Sequence, residues 1–143
     1  MGSKTAIRGL AAALLFACGC AAASGLQVAP IGLEFTPASP AQGLWLTNTG
    51  DKTLHAQARV YQWTQVGGKD ALAPTRSMLA SPPMLSLDPG GRQLVRVIRT
   101  GGLAVANAGE EAFRVLIDEL PQADQRQSSS VEYVLRYSVP VFV

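Results

Sequence analysis

The side chains that could do chemistry are few and scattered. The single histidine, His55, stands in the stretch LHAQARV with no second histidine and no cysteine beside it. A bound zinc needs three or four such ligands, so His55 reads as a surface residue. Asp118 and Glu119 are adjacent in FRVLIDEL. Successive side chains of a strand point to opposite faces, so these two do not form an acid/base pair. Glu110 and Glu111 open a strand after a loop and read as solvated charge. No serine occupies a GxSxG elbow, and Gly90-Gly91 lacks the lysine and the following serine or threonine of a phosphate loop. No catalytic constellation is present, and no metal, cofactor or small-molecule substrate is expected. The arginines say more. Arg92, Arg96 and Arg99 surround the apolar stretch Gln93 to Arg99, and Arg136 stands near the C-terminus. Arg96 shares a row with Leu94 and Ile98, and Arg136 with Val134 and Ser138. A guanidinium in such a row either keeps its head in water at the sheet rim or faces an anion, and pattern alone favours the first.

Strands must position these groups. The last stretch, Val131 to Val143 (VEYVLRYSVPVFV), puts Val131, Tyr133, Leu135, Tyr137, Val139, Val141 and Val143 on one row, a period of two. Pro140 cannot donate to a ladder, which predicts an edge strand, at least locally. An apolar edge of this kind is either an aggregation liability or a docking site for a partner's strand. Upstream, Leu26 to Phe35 is extended but broken by Pro30 and Gly32, so it can pair with one sheet before the break and another after it. Ala41 to Asn48 is a strand closed by a turn. Thr53 to Gln65 carries Leu54, Ala56, Ala58 and Val60 on one row and His55, Gln57, Arg59, Tyr61 and Trp63 on the other, the alternation of a half-solvated face. Ala71 to Leu87 is irregular, limited by Pro74, Pro82 and Pro83. Gln93 to Arg99 and Ala112 to Leu120 complete a set of about seven strands with no convincing helix. The expected fold is an all-β, immunoglobulin-like antiparallel sandwich.

The 143 residues suffice for one domain with a core. Lys4 and Arg8, the apolar run Leu10 to Ala17 and the small residues Ala21 to Ala23 have the anatomy of a secretory signal peptide, and the run is too short to span a bilayer. Residues 1–23 are therefore expected to be a leader and 24–143 an exported domain. Cys18 and Cys20 lie within or beside the leader. A lipoprotein signal would use one of them, but Phe16 and Cys18 suit the positions before each poorly. The domain that remains has no cysteine and no disulfide. Without Lys4 and Arg8 the 12 basic residues are reduced to match the 10 acidic ones. Such a balance gives no reason to expect nucleic acid or an acidic membrane surface as a partner.

Four stretches resemble the periplasmic chaperones of bacterial pilus assembly by the chaperone–usher route: LQVAPIGLEF, SPPMLSLDPGGRQLVRV, FRVLIDELP and LRYSVPVFV. The ELP and SVPVFV endings look most like the archaic branch. The resemblance implies that the domain holds pilus subunits by donor-strand complementation, its G strand filling the groove of an incomplete subunit, and delivers them to an outer-membrane usher. On that reading Val131, Tyr133, Leu135 and Tyr137 form the donor row, although the opposite row could donate instead. Members outside the archaic branch anchor the subunit's terminal carboxylate with a first-strand arginine and a G-strand lysine. Gly32 stands at or near the first position; Arg136 is taken as the counterpart of the second, with Arg96 as the archaic-type anchor. The family carries two immunoglobulin-like domains and the sequence covers the first, as a truncated product or a one-domain variant. The alternative is a stand-alone immunoglobulin-like periplasmic or surface module with a structural or adhesive role, lipidated or not.

Overall fold

The computed structural model describes residues 25–100, 109–121 and 134–143. The expected leader, both cysteines, Val131 and Tyr133 lie outside them. Ten strands occur among the described residues: β1 (Leu26–Ala29), β2 (Leu33–Glu34), β3 (Ala41–Asn48), β4 (Leu54–Val66), β5 (Lys69–Pro74), β6 (Met78–Ser81), β7 (Met84–Leu87), β8 (Arg92–Arg99), β9 (Ala112–Leu120) and β10 (Arg136–Phe142). They build two sheets, one ordered β1-β3-β8-β6, the other β2-β10-β9-β4-β5 with β7 also on β4. This is the expected sandwich.

The count exceeds seven for local reasons. Pro30 and Gly32 split the first extended stretch, so β1 joins β3 in one sheet while β2 runs parallel to β10 in the other. The irregular stretch before Leu87 forms three short strands. β4 is long enough to take β9 along one edge while β7 and β5 share the other. Gly67 and Gly68 make the tight β4–β5 turn with φ of 59° and 75°, the left-handed pair that suits the twist of a two-residue hairpin.

The alternation seen in the sequence decides what is buried. Leu44, Leu46, Val95 and Val97 face inward from one sheet. Ala56, Ala58, Phe113, Val115, Ile117, Val139 and Val141 meet them from the other. Asn48 is a polar residue buried at the edge of this core, and it is fully engaged. Its amide donates to the carbonyls of Lys52 and Leu87, and its side-chain oxygen accepts from the Gly50 N–H. It thereby ties the turn after β3 to the end of β7.

Candidate functional site: the open edge and outer face of the terminal strand

β10 pairs with β9 along its whole length, Arg136 opposite Asp118 through Phe142 opposite Ala112. On its other side β2 reaches only Val141 and Phe142, and the Phe35 N–H then donates to the Phe142 carbonyl at 2.8 Å. From Arg136 to Pro140 no strand lies on that side among the described residues. The local edge expected from Pro140 is therefore present. The ladder also shows why a proline is tolerated. Val143 and Glu111 exchange both backbone bonds, and Glu119 donates to Leu135, so the odd-numbered residues of β10 face β9. The even-numbered ones, Arg136, Ser138 and Pro140, turn their backbone nitrogens to the open side, where Pro140 has none to offer.

The apolar row divides along its length. Val139 and Val141 are fully buried in this domain's own core. Tyr137 is half-buried against that core and its hydroxyl donates to the Leu26 carbonyl. Leu135 is half-buried, its tip beside Gly25, and Val134 is exposed. Tyr137 is thus less free for a partner than the period of two suggests, because it packs against the core that Val139 and Val141 enter.

The outer face of this sheet is unusually covered. Leu116 and Asp118 lie on the outward row of β9, yet only 8% and 7% of their surface is exposed; Arg59 of β4 and Arg136 of β10 close over Asp118. At one end Trp63 meets Phe142 edge to face, ring centroids 6.4 Å apart, across the small Ala112. The Arg114 guanidinium lies 4.1 Å above the Trp63 ring, an arrangement that attracts through the ring quadrupole. Arg114 is the register partner of both Tyr61 and Pro140, and a Cβ on Gly32 would come 4.0 Å from the Pro140 ring.

At the other end, Asp118 takes two arginines. Arg59 Nη2 donates to Oδ2 at 2.6 Å and Arg136 Nε to Oδ1. Burial works to raise the Asp118 pKa, but the two guanidiniums outweigh it and hold the carboxyl below its usual range, while the bond to Asp118 raises Arg59. Beside them opens a cavity of about 500 Å³ edged by Gln57, Glu119, Leu120 and Val134. The Arg59 Nε is buried and has no partner among the described residues.

The structure does not bring Arg96 and Arg136 together. Arg96 lies exposed on the outer face of the other sheet, opposite Gly43 and Ser81, while Arg136 is bound to Asp118. Nor does Arg136 face Gly32. That neighbour is Pro140, four residues and about 13 Å along the strand, and neither Gly32 nor Pro140 carries a charge. Arg114 is the cation opposite Pro140 in the β9–β10 register. Its alternation with Phe113 and Val115 marks it as outward-facing, but its place next to Pro140 depends on register, which no single strand reveals. His55 is exposed, and no group of metal ligands occurs among the described residues.

A profile of the pili and flagellar-assembly chaperones, PapD N-terminal domain, matches residues 25–143. Among solved structures, the chain is similar to the chaperone in the CsuC–CsuE chaperone–tip adhesion subunit pre-assembly complex from the archaic chaperone–usher Csu pili of Acinetobacter baumannii. Identity is 30%, the TM-score is 0.70, and the match covers 82% of this chain and 50% of that one. The E. coli chaperone DraB matches at 22% identity and TM-score 0.63, over 84% of this chain and 55% of its own. The periplasmic chaperone SfaE matches at 15% and 0.64, over 82% and 56%. The chain therefore spans about half the length of these relatives. A comparison with curated proteins gives no match.

Proposed function

Because the chain belongs to the family of pili and flagellar-assembly chaperones, we propose that it binds pilus subunits in the periplasm by lending them its terminal strand, for delivery to an outer-membrane usher. The observation that carries this reading is the half-paired strand: β10 is anchored on β9 but open on its other side from Arg136 to Pro140. An extended edge offers a partner's strand its backbone groups, and alternate side chains supply specificity. The donor row is Val131, Tyr133 and Leu135. Tyr137 marks the point where the row passes into the domain's own core. Each apolar residue moved from water into a groove contributes about 1.5–3 kcal/mol, so a few hold a subunit. No catalytic step is involved.

For the subunit's terminal carboxylate the geometry favours Arg114 over Arg136 and Arg96. Arg114 is held over Trp63 and is the register partner of Pro140, the residue nearest Gly32. Arg136 is already committed to Asp118 and Arg96 lies on the other sheet. Co-expression of the chain with its cognate pilus subunit tests the reading. Arg114→Ala is expected to weaken co-purification more than Arg136→Ala or Arg96→Ala. Equal retention of the subunit by all three would place the anchor elsewhere, and no retention by the unmodified chain would favour a stand-alone structural module.

A further inference from the structure

We infer that Asp118 is a positioning residue for the lent strand: by gripping Arg136 while itself held by Arg59, it keeps the open-edged start of β10 extended and in register before any subunit arrives. The inference rests on the reading of β10 as a donor strand but on different atoms. An edge strand has one ladder where an interior strand has two, and β10 has its second ladder only at Val141 and Phe142. Its downstream half is secured by the burial of Val139 and Val141. The start has no such burial, because Arg136 and Ser138 are exposed and Tyr137 is only half-buried.

What the start has instead is a pair of ties, one on each face. On the inner face the Tyr137 hydroxyl donates to the Leu26 carbonyl, linking β10 to β1 of the opposite sheet. On the outer face Asp118 spans three neighbouring strands, taking Arg59 from β4 and Arg136 from β10 on separate oxygens. Arg136 is the direct register partner of Asp118, so the ion pair favours this register over a one-residue slip. A slip by one residue would carry Arg136 to the inner face. Arg59 comes from diagonally across β9, its own partner being Leu116. It therefore fixes the orientation of the Asp118 carboxyl from the β4 side. A partner that adds its strand to a preset edge does not have to order that edge on binding.

Amide hydrogen exchange on the chain alone tests this, so the result does not depend on whether β10 is lent to a subunit. The variants are Asp118→Asn, which keeps the shape, and Arg136→Gln, whose exposed side chain leaves the core untouched. In both, the amides of Tyr137 and Val139, which face β9, should exchange about ten- to a hundredfold faster through local opening, while β3 and β8 amides keep their protection. Arg59→Gln should give a smaller rise at the same two amides. Unchanged exchange at Tyr137 and Val139 in both main variants would overturn the inference. So would an equal rise across β3, β8 and β10, which would make Asp118 a residue of general stability only.

Discussion

At the scale of single residues, charge on the outer face of the second sheet is arranged with Asp118 as its fixed point. Its carboxyl lies below its usual pKa because Arg59 and Arg136 bind it, and the remaining residue opposite it, Gln57, is neutral. A carboxylate whose folded-state pKa is depressed stabilises the fold above its unfolded pKa, about 3.9, and that contribution is lost as pH falls through the lower folded value. The difference in melting temperature between the unmodified chain and Asp118→Asn should therefore be constant from pH 7 to about 5 and shrink on acidification below about 4. Both arginines are more than a third exposed, at 41% and 65%, so the loss at neutral pH should be modest, about 1–2 kcal/mol. Asn48 offers a contrast. It is 1% exposed and satisfies three backbone groups. Asn48→Leu should destabilise the domain by about 2–4 kcal/mol, read by denaturant unfolding, because buried carbonyls and an N–H are left unpaired. Neither role could be read from the sequence. Asp118 stood there as one charge in a two-faced strand, and Asn48 as the start of a turn.

At the scale of elements, β10 is one strand with two duties. Downstream, Val139 and Val141 belong to the core; upstream, Leu135 is only half-buried, its tip beside Gly25, and Val134 is exposed. Val141→Ala should therefore lower stability by about 1–3 kcal/mol, as large-to-small core changes do. Leu135→Asn should barely move the melting temperature yet impair subunit capture, a pair of readouts from thermal melting and co-purification. The alternation of the terminal stretch made its strand and its local edge character legible, because a period of two is a property of one strand; the burial of its far half came only with the fold. The point along the row where own core gives way to open surface was not legible. It depends on where β1 and β2 end against β10, and so on contacts more than a hundred residues apart, such as Tyr137 with Leu26.

At the scale of the whole molecule, the sandwich was legible from seven alternating stretches and the turns between them, including the passage of the broken first stretch from one sheet to the other. The placement of the arginines was not. Arg96 and Arg136 look alike in sequence but stand on different sheets, while Arg114 reaches Pro140 only through the β9–β10 register. The domain's stability should need no disulfide, since every residue from Ser24 onward is free of cysteine. Under reducing conditions the circular dichroism should be β-type and the melt cooperative. The account stands or falls on whether the open side of β10 receives a partner's strand. Amide exchange with and without the bound subunit reads this directly at Arg136 and Ser138, whose N–H groups face that side. The account predicts that both exchange fast in the free chain and become strongly protected in the complex. Rapid exchange at both amides while the subunit remains bound would contradict it.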